Sequence, residues 1–227
     1  MTAKVPKEKK NLTYKDSGVD IEEATSALSM SKKYIIESYN NQVLSSVGSY
    51  GGMFDISNLD VENPVLVSST DSIGTKIDLA IKNDMLDYVG YDIVNHSIND
   101  ILVQGAKPLI FLDYISINKI DLKKLKSIIK GIVKGCKIAG CELVGGETAE
   151  MPGTYTHGKF DVAGFSIGLV NKKKILKKNN IKKNDLIIAL PSSGLHSNGY
   201  SLIRKIIKLK KININKNKIL KKELLKP

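Results

Sequence analysis

Asp121-Leu-Lys-Lys-Leu-Lys-Ser-Ile-Ile-Lys-Gly-Ile-Val-Lys-Gly-Cys-Lys-Ile-Ala139 places apolar residues at 122, 125, 128, 129, 132, 133, 136 and 139. That is the 3.6-residue period of a helix with one buried stripe, and Asp121 stands where its side chain can cap the first turn. Working outward toward the N-terminus, residues 109–117 read as a strand. Before it, a helix over 87–105 closes at Gly105 with Pro108 just beyond, the expected stop arrangement. Toward the C-terminus come a short strand at 142–144, the loop Gly145-Gly-Glu-Thr-Ala-Glu-Met-Pro-Gly153 and a strand at 162–170, where Gly164 and Gly168 would allow other backbone to approach. The β-branched run at 64–69 predicts another strand, followed by the loop Thr70-Asp-Ser-Ile-Gly-Thr-Lys76, and residues 21–41 form a weaker helical pattern. Helices and strands mixed in this way predict an α/β (α+β) protein.

Residues 1–20 are polar and suit a flexible N-terminal arm, so the first packed domain spans 21–171. The lysine-rich stretch 172–184 reads as a connector. Behind it a fresh strand at 186–190, the loop Pro191-Ser-Ser-Gly-Leu-His-Ser-Asn-Gly199 and a helix over 200–209 open a second α/β domain across 185–227. One such unit cannot cover its own apolar faces, and no closing element is legible before Lys226-Pro227, so the second domain is expected to be incomplete.

Hydrophobic residues make up 42% of the 227, enough for a full core, and no apolar run reaches the roughly 18 residues that span a bilayer. The opening Met-Thr-Ala-Lys-Val-Pro-Lys-Glu-Lys-Lys10 is charged with no apolar segment behind it. A soluble cytoplasmic protein is expected, without membrane partners. The net charge of +12 raises the question of nucleic acid, but Arg204 is the only arginine, tryptophan is absent, and the lysines cluster in two stretches, 119–137 and 172–226. Forked contacts to phosphate and guanine favour arginine, and single strands favour aromatic platforms, so a solvated basic face is the better reading. Nucleic-acid binding through that face would show steeply salt-dependent affinity. Cys136 and Cys141 match neither a zinc knuckle nor a C-x-x-C pair and read as reduced core residues.

Chemistry is suggested by acidic groups on separate elements: Asp71 after the first strand, Asn99-Asp100 in a helix, and Glu147 after a glycine pair. Mg²⁺ takes a few oxygen ligands together with waters and nucleotide phosphates, so such a set could serve it, although spacing alone does not make the three converge. Asp92, Asn95 and Asn99 share a helix face that reads first as a solvated stripe, whereas Asn99 and Asp100 sit among Ile98, Ile101, Leu102 and Val103, which would draw them toward a core. The loop 70–76 offers Gly74, Thr75 and Lys76 to a phosphate, but the chain has no G-x-x-x-x-G-K-[ST] motif. His96, His157 and His196 form no H-x-x-x-H pair, which argues against catalytic zinc. His196 is a candidate to face substrate, against the ordinary alternative of an idle loop histidine.

Seven strings, in order, resemble the successive signatures of one family: Tyr14-Lys-Asp-Ser-Gly-Val-Asp20, Ser69-Thr-Asp-Ser-Ile-Gly-Thr-Lys76, Asn99-Asp-Ile-Leu-Val-Gln-Gly-Ala106, Phe111-Leu-Asp-Tyr114, Gly145-Gly-Glu-Thr-Ala-Glu-Met-Pro-Gly153, Asp161-Val-Ala-Gly-Phe165 and Ser192-Ser-Gly-Leu-His-Ser-Asn-Gly-Tyr-Ser201. The family is the phosphoribosylformylglycinamidine cyclo-ligases, or aminoimidazole ribonucleotide synthetases. The resemblance runs from about residue 12 to about residue 207 and departs where the family's second domain would continue.

The resemblance implies a homodimer in which the N-terminal sheets of two subunits pair into a barrel, with ATP near the interface. It implies that ATP phosphorylates the formyl oxygen of formylglycinamidine ribonucleotide, after which an amidine nitrogen closes the imidazole ring of purine biosynthesis and phosphate leaves. It further implies Mg²⁺ and nucleotide phosphates at Asp71, Asp100 and Glu147. Lys15 and Asp16 would belong to a flap over ATP, and Gly74, Thr75, Lys76, Asn99, Gly145 and Gly146 would line the nucleotide. Asp71, Lys76 and His196 would carry catalysis, with Ser197 and Asn198 facing substrate. Selenophosphate synthetase and thiamine-monophosphate kinase belong to the same superfamily. The Gly-Gly-Glu-Thr-Ala-Glu-Met-Pro and Ser-Gly-Leu-His-Ser-Asn-Gly strings favour the cyclo-ligase over both, and the absence of cysteine from residues 1–50 argues further against selenophosphate synthetase. The alternative of a different class is a dimerising module that lacks activity because part of its second domain is missing.

Overall fold

A computed structural model describes residues 13–227. Four strands form one open sheet in the order β1-β4-β2-β3. They are β1 (Pro64–Ser72), β2 (Lys107–Ile117), β3 (Glu142–Glu150) and β4 (Phe160–Asn171). β4 runs antiparallel to both β1 and β2, while β2 and β3 are parallel. A parallel pair needs a long crossover, and the amphipathic helix read from the sequence supplies it as α4 (Leu122–Ala139). Asp121 caps that helix by accepting from Lys123 N and Lys124 N, both at 3.1 Å, and Gly140 at φ 69° ends it.

α4 packs side by side with α3 (Leu86–Leu102), and together they cover one face of the sheet. Ile93, Val94 and Ile101 of α3, Ile132 and Cys136 of α4, and Phe111, Ile115 and Val162 of the sheet are fully buried between these layers. Gly164 and Gly168 of β4 sit under α3; backbone comes close at Gly168, where a Cβ would meet the Lys107 carbonyl, whereas side chains crowd Gly164. A Cβ at Gly164 would lie 2.6 Å from the Phe111 ring, and one at Gly168 would lie 2.9 Å from Ile101. The other face of the sheet leaves Leu66 and Phe165 exposed.

Before the sheet lies α1 (Ile21–Ile36), capped by Asp20, and between β1 and α3 lies the short α2 (Ile77–Asn83). Part of the expected arm, residues 1–12, lies outside the described residues. Residues 13–20 lead into α1, with Asp20 N donating to Glu150 Oε2 at 2.7 Å. Beyond β4 come α5 (Tyr200–Leu209) and α6 (Lys218–Leu225). Arg204 of α5 pairs with Asp78 of α2 at 2.5 Å, so the single arginine serves as a structural tie. Among the described residues no helix is long and apolar enough to cross a membrane.

Four expectations about elements change. β1 continues through Asp71 to Ser72, and β3 continues through Gly145-Gly146 to Glu150, so both carry residues expected on loops. Residues 186–190 form no strand: Ile187 is 97% exposed and the run pairs with no other backbone, which a lone strand needs for stability. Residues 218–225 form a helix not expected from the sequence, α6, which buries Leu224 and Leu225 and receives a hydrogen bond from the buried Tyr200 hydroxyl at the Leu224 carbonyl.

Candidate functional site

The strand β1 and the helix α3 form a polar seam. Residues two apart on a strand share a face, and residues four apart on a helix are neighbours, so Ser69 and Asp71 meet Asp100 and His96 in pairs. Ser69 Oγ donates to Asp100 Oδ2 at 2.7 Å, and His96 Nε2 lies 3.0 Å from Asp71 Oδ2. The other Asp71 oxygen accepts from Ser72 N at 2.7 Å. Two residues of extended strand put Asp71 and Asp100 on one seam about 7 Å apart. His96 was not among the expected site residues, yet its place one turn before Asp100 was a usable signal. Its Nδ1 is buried without a partner.

Asn99 and Asp100 are exposed and not drawn into the core, since only Ile98 and Ile101 face the buried side of α3, while Leu102 and Val103 are themselves exposed. Gly74 and Thr75 occupy an exposed 3₁₀ turn with open space beside Gly74. Lys76 is different. Its side chain is fully buried, its ammonium is 2.5 Å from Asp92 Oδ2, it donates to the Lys226 carbonyl at 3.0 Å, and it lies 5.5 Å from the Tyr200 ring centre. The expected phosphate-facing lysine is therefore an internal clamp, and Asp92 is its partner, not a member of a solvated stripe. Burial pushes Asp92 up to about 7 against the pull of the Lys76 charge, and burial likewise lowers Lys76.

Glu147 lies elsewhere. Asp71, Gly164, Asp113 and Gly146 are matched residues across the four strands, so Asp71 and the Gly146-Glu147 pair occupy opposite edges of the sheet. Three strand spacings separate those edges by roughly 14 Å, too far for one ion to be shared within a chain. Among the described residues no group of three or more His, Cys, Asp or Glu could hold a metal ion. Asp71 and Asp100 alone still fit the sparse carboxylate set that suffices for Mg²⁺ bound with nucleotide phosphates.

At the Glu147 edge, Gly145, Gly146 and Glu147 line a cavity of about 430 Å³ between α1, α4 and β3, with Asp113 inside it. Asp113 is 7% exposed, and burial, reinforced by the Glu147 charge, pushes its carboxyl up to about 7. Only glycine fits at 146, because a Cβ there would lie 2.2 Å from Asp113 Oδ1.

The remaining expected residues stand apart from both places. Lys15 Nζ pairs with Asp20 at 2.7 Å, and Asp16 accepts hydrogen bonds from Thr13. His196, at φ 54°, makes its contacts within its own exposed loop, with Nε2 2.9 Å from Ser193 Oγ. Ser197 and Asn198 follow it on that loop.

A family model described as AIR synthase related protein, N-terminal domain, matches residues 53–170, just over half the chain. The chain belongs to the AIR synthase family. The matched interval contains β1, α3, Asp113 and the Gly145-Gly146-Glu147 strand, and it excludes Lys15, Asp16 and His196. The phosphoribosylformylglycinamidine cyclo-ligase of Bacillus cytotoxicus (strain DSM 22905 / CIP 110041 / 391-98 / NVH 391-98) is 52% identical over 194 residues, covering 86% of this chain and 56% of that protein. The enzyme of the same name from Bacillus cereus (strain AH187) matches over the same shares, also at 52%. The chain thus spans little more than half the length of the curated relatives it matches. Thiamine-monophosphate kinase from Stenotrophomonas maltophilia K279a shares the fold, with TM-score 0.51 at 16% identity over 66% of this chain and 44% of that one.

Proposed function

We propose that this AIR synthase domain serves the ATP-dependent closure of formylglycinamidine ribonucleotide to aminoimidazole ribonucleotide, in the cytoplasm and in de novo purine biosynthesis. The observation that carries this reading is the 52% identity to enzymes named for that reaction, maintained over 194 residues that include the β1–α3 seam. A formamide oxygen leaves poorly. Transfer of the γ-phosphoryl of ATP to it breaks the Pβ–O–Pγ link and releases ADP, and the amidine nitrogen then bonds to the formyl carbon, loses its proton, and expels phosphate as the C–O bond breaks.

Asp71 and Asp100 are the residues proposed to hold Mg²⁺ with the phosphates, and the ion's contribution is to offset phosphate charge. His96 keeps the Asp71 carboxylate turned into the seam. Gly74 and Thr75 present open backbone and a hydroxyl beside it, and Asn99 flanks Asp100. Lys76 supports this turn from within through Asp92. Lys15 and Asp16 are assigned to a flap over the nucleotide, and His196, Ser197 and Asn198 to substrate.

Because a single chain holds Asp71 and Glu147 at opposite sheet edges, Glu147 is assigned to a metal and phosphate site completed across a pair of sheets. The pairing surface is the uncovered face, where Leu66 and Phe165 are exposed, and two such sheets would close a barrel. Residues 21–171 form the domain that pairs, 172–184 the connector, and 185–227 the start of a second domain. Phe165→Glu places a charge at the centre of that surface and is expected to weaken a homodimer by about 2 kcal/mol or more, roughly 30-fold in Kd. Sedimentation over a concentration series reads this, and an unchanged association constant removes this face from the interface.

The function is tested by a panel of formylglycinamidine ribonucleotide, thiamine monophosphate and selenide, each with ATP and with release of ADP or AMP as readout. Nucleotide release is expected with the first alone, accompanied there by phosphate. Asp71→Ala is expected to abolish that turnover without altering the melting transition. Unaltered turnover would remove Asp71 from the site, and release with either of the other acceptors would overturn the assignment.

A further inference from the structure

We propose that residues 218–227, which are α6 and the two residues after it, form an autoinhibitory cap that closes over Lys76 and swings away to let an anionic oxygen of substrate reach the ammonium. The proposal rests on the reading above that the 70–76 turn and the 192–198 loop serve one substrate site.

Three observations carry it. First, this segment completes the enclosure of Lys76. An ammonium has three protons to donate, and after Asp92 the partner of Lys76 is the Lys226 carbonyl oxygen at 3.0 Å. That oxygen stands where an oxyanion would, and an oxyanion adds a charge attraction that a neutral carbonyl lacks. Second, the same residues press on the other expected substrate element. A Cβ at Gly194 would lie 2.9 Å from Lys226 Cε and 3.6 Å from the Glu223 carbonyl oxygen. Residues 223–226 therefore touch both Lys76 and the loop that carries His196.

Third, the attachment is light. α6 has eight residues, too few to persist as a helix by itself. Its chief neighbour is the 3₁₀ turn Ile214–Lys216 that leads into it. Of its apolar residues Leu224 and Leu225 are buried, while Ile219 is 78% exposed. Two hydrogen bonds fasten it, from the Tyr200 hydroxyl to the Leu224 carbonyl and from the Lys221 ammonium to the Asn83 carbonyl at 3.2 Å. Cap docking and oxyanion binding compete for one ammonium, so each shifts the population of the other.

The test follows acylation of Lys76 by an amine-reactive ester, read by peptide mass spectrometry on the 227-residue chain, with hydrogen exchange of the α4 amides reporting on the core. Leu225→Glu places a charge in a buried contact and is expected to speed the labelling of Lys76 by about tenfold or more while α4 stays protected. Ile219→Glu makes the same change at an exposed position of the same helix and should keep the wild-type rate. Tyr200→Phe, which loses one hydrogen bond, should fall between them. Inorganic phosphate should slow the labelling of Leu225→Glu by about threefold or more. Fast labelling of Lys76 in wild type overturns the cap, as does slow labelling in Leu225→Glu. Loss of α4 protection in Leu225→Glu overturns it in favour of a structural part of the core, and labelling that phosphate does not slow overturns the oxyanion as the excluded group. Turnover of formylglycinamidine ribonucleotide with ATP should rise in Leu225→Glu, and turnover that stays the same or falls there overturns autoinhibition. An opened Lys76 with no turnover in either protein supports the cap and counts against the function proposed above.

Discussion

Gly131→Leu is expected to destabilise the protein by at least about 3 kcal/mol, and Gly131→Ala already by a large part of that. The helices α3 and α4 approach so closely that a Cβ at Gly131 would lie 1.9 Å from the Asp87 carbonyl oxygen, and one at Gly90 would lie 2.0 Å from the Ile128 carbonyl oxygen. Both obstacles are helix backbone, which cannot rotate aside as a side chain would. The helices must separate, and separation opens the layer where Ile93, Val94, Ile128 and Ile132 are buried. A countervailing term exists: alanine gains about 1 kcal/mol over glycine in a helix interior. Overlap with backbone at this distance outweighs it. Urea unfolding at 25 °C measures the difference, and the corresponding fall in Tm is roughly 6–12 °C for a chain of this size. Gly140→Ala is the control, because nothing lies within 4 Å of a Cβ there and only its left-handed φ of 69° is strained. Equal losses at 131 and 140 would show that the two helices are not in backbone contact.

The same helix shows what the sequence makes legible. α4 was read almost to the residue because its apolar stripe is continuous and both ends carry their own capping residue, Asp121 and Gly140. α5 fell where residues 200–209 predicted it for a similar reason. Strand limits were less legible. Gly145-Gly146 reads locally as a turn, but β2 lies alongside and supplies backbone partners that hold those glycines in a strand. Residues 186–190 are the converse, an apolar run with strand composition and no neighbour to pair with. Pairing is a tertiary fact, and the local pattern carries no record of it.

The site was legible in the same uneven way. Asp71 and Asp100 were found as acidic residues on separate elements, and the fold sets them on one seam. His96 and Asp92 each hold a partner from β1 or the turn after it, and no spacing within α3 reveals that. Glu147 was grouped with Asp71 by motif, and the strand order separates the two because β4 and β2 insert between β1 and β3. Sequence order gave no warning, since β4 is the last strand in the chain and sits second in the sheet.

Lys76→Met is expected to destabilise the protein by about 3–5 kcal/mol at pH 8 and by clearly less at pH 6. Lys76 and Asp92 are both essentially inaccessible, and removing the ammonium leaves a carboxylate buried among apolar groups. That carboxylate has an escape, which is to take a proton. With Lys76 present Asp92 already stands at about 7, and without the lysine its pKa must rise further, because Lys76 is the group that pulls it down. The unfolded chain releases this proton near 3.8, so above that pH the folded variant binds one proton more than the unfolded one. Its stability therefore falls as pH rises, by up to about 1.4 kcal/mol per unit, and goes on falling above about 8, where Asp92 in the wild type has largely finished titrating. Urea unfolding of both proteins from pH 6 to pH 8.5 should show a gap that widens with pH. Adding Asp92→Leu should close most of it, since a buried pair replaced on both sides by apolar groups leaves no charge behind. A gap that is constant across this range, or a double variant as unstable as the single one, would mean that the ion pair does not govern this region. The same series decides how any lost activity of Lys76→Met is read. Activity that returns at pH 6 along with stability belongs to the clamp, whereas activity absent in a fully folded variant would place the ammonium in contact with phosphate.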